Sequence, residues 1–281
     1  MLRIIVDGSA DMPEGWPEKY QFNILPIPIQ IGEKTYYQGE DINPELFYEL
    51  IKDENNIPRT AAPAPARIQA FIENVCHAGD TVLSLNVSGM MSSTVSMVQN
   101  AALTLKDKIK LVVFDSKAGS AALALMAREA RLRERAGESL DDILAALDAI
   151  REKLMIVLTI NNLDFAYRSG RVSYLKAALS SLLNIKPIIT LNKGQLQMNE
   201  MVRTRSKSLE RIVTKIKEQF DDSPIRVVIV HAQDFESAKK LKNMFTKSMN
   251  IVETIFTDLS ISVAANLGPK TIGVVALPEN L

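Results

Sequence analysis

Residues 81–94 read TVLSLNVSGMMSST, and their reading decides the fold. Thr81–Val87 is an unbroken apolar run of strand length. It stops on Ser88-Gly89 and restarts with Val95, Val98, Ala101, Ala102 and Leu105 at the three-to-four spacing of a helix packed on a sheet. A strand feeding a helix through a short hydroxyl-rich turn places backbone N–H groups, the positive end of a helix dipole and the Ser88 hydroxyl at the carboxyl edge of a strand. Open α/β sheets bind their ligands at that edge. The expectation is an anion site in which the Ser88 hydroxyl meets a ligand, with Gly89, Met90 and Met91 as supporting residues of the site. The competing reading is a plain helix cap by Ser92 or Ser93, since serine is a preferred residue there.

Outward from this turn the same alternation continues. Lys110–Phe114 reads as the next strand, and a helix over 119–136 ends at Gly137, so a βαβα succession predicts a parallel, doubly wound sheet. Upstream, Leu2–Val6 is a strand that ends on Asp7-Gly8-Ser9. Asn23–Ile31 is a second apolar run with a hairpin to Thr35-Tyr36-Tyr37, Asn43-Pro44 opens a helix, and Ala64-Pro65 opens another to about Val75. A helix over 140–154 leads into a second half of different rhythm. There we expect strand 157–160, short helix 162–168, helix 173–184 and a hairpin of 186–191 with 196–203 across Asn192-Lys193-Gly194-Gln195. Helices near 206–220, 235–247 and 261–266 then interleave with strands 225–230, 251–257 and 271–277. The expected organisation is an N-terminal α/β domain over 1–154 and a C-terminal mixed α+β domain over 155–281.

Composition narrows the function. The 281 residues are 47% hydrophobic, and 33 basic residues offset 33 acidic ones, so nothing points to nucleic acid, a charged membrane surface or a polyanion. Cys76 is the only cysteine, the chain starts directly in a strand, and no apolar run approaches the ~20 residues of a membrane span. A cytoplasmic protein without stable membrane insertion is expected. His77 and His231 have no sequence neighbours suited to a triad or a metal, and a phosphate loop, a G-x-G-x-x-G turn and an H-E-x-x-H helix are all missing. We therefore expect no catalytic residue, no metal and no cofactor.

What remains is a set of polar groups at predicted strand ends: Asp7 and Ser9, Thr60 in the proline-rich loop 58–65, Ser88, and Asp115-Ser116. Hydroxyls without a base can hold a carboxylate but attack one poorly, which favours binding over turnover. The alternative is a small-molecule phosphate or acyl-transfer enzyme that uses the Ser88 turn as an anion cradle. Residues 87–94 hold no lysine or arginine for such a phosphate. Asp115 either organises the strand-end loops or caps a helix.

The order of motifs resembles the DegV family, which includes the fatty acid-binding subunit of bacterial fatty acid kinase. The matching pieces are Asp7-Gly8-Ser9-Ala10-Asp11-Met12-Pro13, Leu25-Pro26-Ile27 leading to Tyr37-Gln38-Gly39-Glu40-Asp41-Ile42, Pro58-Arg59-Thr60-Ala61-Ala62-Pro63, and Val87-Ser88-Gly89-Met90. Later come Asn162-Leu163 through Ser169-Gly170-Arg171-Val172-Ser173, Asn184-Ile185-Lys186-Pro187-Ile188-Ile189, Arg203-Thr204-Arg205 and Gly268-Pro269. Each piece is short, but together they span the chain in the family's order.

The resemblance implies a two-domain α/β fold with one long-chain fatty acid enclosed between the domains. Its carboxylate would be held by Thr60 and Ser88, with Asn266 also in the headgroup set. It also implies presentation of that carboxylate to a separate ATP-binding kinase subunit, with Arg171 at the encounter surface. Enclosing an acyl tail stabilises by ~0.8 kcal/mol per CH₂, so about 14 methylenes give on the order of 11 kcal/mol before ordering costs. Three positions depart from the pattern: Asn266 replaces the family's histidine, Met90 a threonine and Ala61 a serine. Asparagine keeps hydrogen-bonding capacity but carries no charge near neutral pH, so the departure bears on phosphoryl transfer more than on binding.

Overall fold

The computed structural model describes residues 2–53, 55–175 and 185–280. The chain forms two compact units, the first running to Asp148 and taking back Ser260–Ser262, the second formed by Ala149–Leu259 and the chain from Val263 on.

The first unit is built on a parallel sheet of order β2-β1-β6-β7, from β1 (Leu2–Asp7), β2 (Phe22–Leu25), β6 (Thr81–Asn86) and β7 (Lys110–Asp115). Pleating sends alternate side chains to opposite faces. Ile5 and Val82 therefore share one face, where they pack with Ile68 and Ile72 of α3 (Pro65–Val75) and Val98, Ala101 and Leu105 of α4 (Thr94–Leu105). The alternate residues Ile4, Val6, Leu83 and Leu85 are equally buried, and α5 (Ala121–Arg135) packs on β1 and β6. Each such aliphatic side chain stabilises by roughly 1.5–3 kcal/mol on burial. Arg131 of α5 is itself buried, and its guanidinium is satisfied by the carbonyls of Tyr20 (2.8 Å), Leu2 (3.3 Å) and Gln21 (3.3 Å) and by Glu134 (3.0 Å).

The apolar run 23–31 is not one strand. Pro26 and Pro28 lack the N–H groups a ladder needs, so the run divides. β2 joins the parallel sheet, while β3 (Pro28–Ile31) forms a separate antiparallel sheet of order β4-β3-β5 with β4 (Lys34–Tyr37) and β5 (Arg59–Thr60). The helix α1 (Trp16–Tyr20), with Gly15 before it in the left-handed region, is too short for a periodic signal. The helix α2 (Pro44–Leu50) starts as expected, with Asn43 accepting the Leu46 amide at 2.9 Å, and α6 (Leu140–Lys153) carries the chain from one unit into the next.

The second unit holds a mixed sheet of order β13-β12-β14-β8-β10-β11-β9. Its strands are β8 (Met155–Thr159), β9 (Val172–Ser173), β10 (Lys186–Asn192), β11 (Gln195–Val202), β12 (Ile225–His231), β13 (Ile251–Asp258) and β14 (Ile272–Pro278). The hairpin β10–β11 turns on Lys193 (φ 48°) and Gly194 (φ 85°), both left-handed as a tight hairpin of this twist demands. The helices are α7 (Leu163–Ser169), α8 (Arg205–Phe220), α9 (Phe235–Ser248) and α10 (Ile261–Leu267). Leu209, Ile212, Ile216, Leu241 and Phe245 of α8 and α9 bury against Val227, Ile229, Val274 and Ala276. Of the helix expected over 173–184, Ser173 belongs to strand β9, which pairs with β11, and residues 176–184 lie outside the described residues. Among the described residues no helix is long and apolar enough to cross a membrane.

Candidate functional site

In the order β2-β1-β6-β7 the chain leaves β1 toward one side and later returns to the other, so the strand order reverses between β1 and β6. At such a reversal the loops diverge and leave a crevice beyond the carboxyl ends of the strands. Asp7 ends β1 at that reversal. Its carboxylate accepts the Val87 amide at the end of β6 (2.6 Å), the Ser9 amide (2.9 Å) and the Ser9 hydroxyl, with no exposure to solvent. Burial pushes the Asp7 carboxyl above the usual carboxylate range, against the pull of these hydrogen bonds.

Ser88 is fully buried immediately beyond β6, and its amide donates to the Ala118 carbonyl at 2.7 Å. The expected cradle of open amides is not what the turn presents. Gly89 N donates to Asp115 Oδ1 (3.2 Å), Met90 N to Ser88 Oγ (3.2 Å), and Met91 N and Ser92 N both to the Ser88 carbonyl (2.9 and 3.0 Å). A phosphate seated on this turn would have to displace those bonds. Capping is also different from the simple reading: Ser93 is the N-cap of α4 without a side-chain bond, and Ser92 Oγ accepts from Thr94 N at 3.3 Å.

Asp115 organises loops and does not cap a helix. It takes the Gly89 amide and the Lys117 amide (2.9 Å), and a Cβ at Gly89 would lie only 3.1 Å from its Oδ2, which explains the glycine after Ser88. Ser116, fully buried, bonds Asn86 through its amide (3.1 Å) and receives the Ala118 amide on its hydroxyl (3.1 Å). The methionines separate: Met90 is exposed, Met97 packs on the core of α3 and α4, and Met91 and Val87 both approach Gly119.

Thr60 reaches the same end of the sheet through the chain that follows β2. Gly8 N donates to Leu25 O (2.9 Å), Pro28 O accepts the Ala61 amide (3.1 Å), and Thr60 is paired opposite Ile29. Two residues carry roles that the sequence alone does not assign. Asp11, buried, accepts from the Ser260 amide (2.8 Å) and the Ser120 hydroxyl, and Ser262 Oγ donates to Gly8 O (2.8 Å). Asp11 stands in the opening motif, but its partners are remote in sequence, so only the fold reveals them.

Two predicted residues lie in the second unit. Gly170 (φ 69°) ends α7 in the left-handed conformation, as expected, and Arg171 follows it exposed, its amide donating to Ser169 Oγ at 3.3 Å. Asn266 is half-buried on α10. The histidines stand apart from these groups. His77 is exposed with its amide on Asp80 (2.9 Å), while His231 packs edge-on against Phe235 with Nδ1 3.1 Å from Asp258 and no aligned hydrogen bond.

An open parallel sheet with a polar strand-switch edge, followed by a unit with a mixed sheet, defines a two-unit α/β protein with a small-molecule binding layout. A model described as "uncharacterised protein, DegV family" matches residues 1–279, and the chain belongs to the DegV family. It is 28% identical over 280 residues to the fatty acid-binding protein of Thermotoga maritima, covering 97% of this chain and 96% of that one. Among solved structures it is similar to a DegV lipid-binding protein of Thermotoga maritima, with a TM-score of 0.88, 26% identity and coverage of 99% and 98%. It is also similar to DegV, a fatty acid-binding protein of Bacillus subtilis, with a TM-score of 0.84, 25% identity and 99% of each chain covered. Proteins of the DegV family bind fatty acids.

Proposed function

We propose that this chain binds one long-chain fatty acid and holds its carboxylate at the carboxyl edge of the parallel sheet, with the hydroxyls of Thr60 and Ser88 as donors. The observation that carries the reading is the buried Ser88 at the strand-order reversal, in a chain that matches fatty acid-binding relatives along nearly its whole length. The chemistry is consistent with a carboxylic acid and not with a dianion. The nearby carboxylates Asp7 and Asp115 are engaged with backbone amides, and burial favours the neutral form of Asp7, which limits repulsion. A hydroxyl donates or accepts as it rotates and so suits either protonation state of the ligand. Ser9, Ser116 and Gly89 act in this reading as supports that fix the loops.

In this proposal the protein has no chemistry of its own and works in the cytoplasm. It presents the headgroup to a separate ATP-dependent kinase subunit, with the exposed Arg171 guanidinium pairing with carboxylates of that partner. Asn266, in place of the family's histidine, leaves phosphoryl transfer slow, and Asn266→His raises acyl-phosphate formation in a reconstituted assay. Unchanged turnover in Asn266→His would remove that part of the reading. The binding itself is tested by organic extraction and mass spectrometry of freshly purified protein, in which a near-stoichiometric long-chain acid is expected.

A further inference from the structure

The sheet of the second unit has a polar edge that the fatty acid reading does not use. Thr159 at the end of β8 and His231 at the end of β12 both pair with Ile272 at the start of β14, and Thr159 also pairs with Ile188 of β10. These strand ends therefore share one edge, and three cations gather there. Lys186, at the start of β10, donates Nζ to the Asn161 carbonyl at 2.8 Å. Arg205, the first residue of α8, donates Nη2 to Asp234 Oδ2 and to the carbonyl of Lys270 (both 2.7 Å) and Nε to Ser237 Oγ (3.4 Å). Burial lowers the Lys186 ammonium, and the charges of Arg205 and Lys270 lower it further.

Asp234 is the carboxylate that pairs with Arg205, and among the described residues no salt bridge to Lys186 or Lys270 is formed. Arg205 Nη1 and Thr159 Oγ1, the latter fully buried, find no hydrogen-bond partner among the described residues. A buried donor left unsatisfied is costly, and adjacent like charges add to that, so a fold keeps such a constellation at a cost. A purely structural Arg205 accounts for Nη2 and Nε but leaves Nη1 unexplained, and among the described residues neither lysine has a carboxylate partner. The geometry points to a binding site in the second unit for a phosphate-class oxyanion, held by the Arg205 guanidinium with Lys186 and Lys270. A guanidinium offers parallel N–H groups to such an anion, and the two ammoniums supply point charges.

This inference does not rest on the fatty acid reading. The test is thermal unfolding and calorimetric titration of the full chain with inorganic phosphate, against chloride at matched ionic strength, on samples of measured fatty acid content. Phosphate is expected to raise Tm progressively in the wild type beyond any effect of chloride and to titrate saturably by calorimetry. The double variant Lys186→Gln/Lys270→Gln is expected to bind it about tenfold or more weakly. Without phosphate that variant loses the Lys186–Asn161 hydrogen bond but also the repulsion between the cations, so its Tm should stay near the wild-type value. A parallel titration with decyl phosphate separates two sources of the anion: tighter binding than inorganic phosphate assigns the phosphate to a lipid-like ligand, and equal binding assigns it to free phosphate. No saturable effect beyond chloride, or undiminished binding in the double variant, overturns the site whatever the fatty acid content.

Discussion

The carboxyl edge of the first sheet and the polar edge of the second solve opposite electrostatic problems. In the first, carboxyl side chains are consumed by the chain itself: buried Asp7 takes Val87 and Ser9, buried Asp11 takes Ser260 and Ser120, and half-buried Asp115 takes Gly89 and Lys117. In the second, cations gather where Asp234 pairs with Arg205, and the buried Arg205 Nη1, Thr159 Oγ1 and His231 Nδ1 stay without a hydrogen bond among the described residues. A saturated network is rigid and offers neutral donors, which fits a weakly polar headgroup held by hydroxyls. An unsaturated cationic edge is held open for a charge that is not part of the chain.

The comparison breaks most visibly if the Asp7 network is removed. Asp7→Ala strands the Val87 and Ser9 amides in the interior and should destabilise the protein by about 3–5 kcal/mol, read by urea unfolding. A loss below about 1 kcal/mol would mean that water or a shifted loop replaces the carboxylate. On the second edge, Gly268 precedes Pro269-Lys270 with φ 83°, and a Cβ there would meet Phe165 at 2.9 Å. Gly268→Ala should cost about 3 kcal/mol through left-handed strain and overlap, measured in the same way. Near-wild-type stability would show that Phe165 gives way freely.

Replacing Thr60 and Ser88 together by alanine should weaken retention of the acid by ~100-fold, since each hydroxyl bond to a charged acceptor is worth about 1.5–3 kcal/mol. The variant's retention is measured by competition with a fluorescent fatty acid, and wild-type retention in a folded variant would place the carboxylate elsewhere. Arg171→Ala should leave fatty acid content intact and reduce acyl-phosphate formation with the kinase subunit by ~10-fold. Equal turnover of variant and wild type in the same reconstituted assay would reject its interface role.

The smallest effect sharpens the contrast from within the second unit, where other cations are compensated. Glu200 bonds Arg211 through both oxygens and Lys215 (all 2.7 Å), and these partners, Arg211 first, draw its carboxyl down to about 2. A depressed folded-state value gives stability that is present above the ordinary value of 4.5 and is lost as pH falls through about 2. Because the pair is partly solvated, about 1 kcal/mol or less is expected. Glu200→Gln should lower stability by that amount at pH 7, flatten the profile between about pH 4.5 and 2, and leave it unchanged below about pH 2. An unaltered acid limb would show the pair to be screened completely.

Much of this architecture was legible in the sequence because its signals are local. The apolar run to Val87, the helical spacing from Val95 to Leu105, and Asn43-Pro44, Gly137, Gly170 and Lys193-Gly194 each mark an element by a rule that acts within a few residues. The division of 23–31 was missed because apolar character outweighed the two prolines, and α1, β5 and β9 are too short to carry a period. The resemblance drew Thr60 and Ser88 together, but the closure of the Ser88 turn was not legible, since it depends on Asp115 and Ala118 arriving from β7. The cationic edge was invisible for the same reason. Lys186, Arg205 and Lys270 share no local pattern, and only the antiparallel order of β8, β10 and β14 puts them side by side.

The central claim is that the first edge holds a fatty acid headgroup, and quantitative mass spectrometry of an organic extract from undenatured, freshly purified protein tests it most directly. The account predicts one long-chain saturated or monounsaturated fatty acid per chain in the wild type and a marked loss in Thr60→Ala/Ser88→Ala. An empty extract from folded wild-type protein that also fails to take up added fatty acid would contradict it.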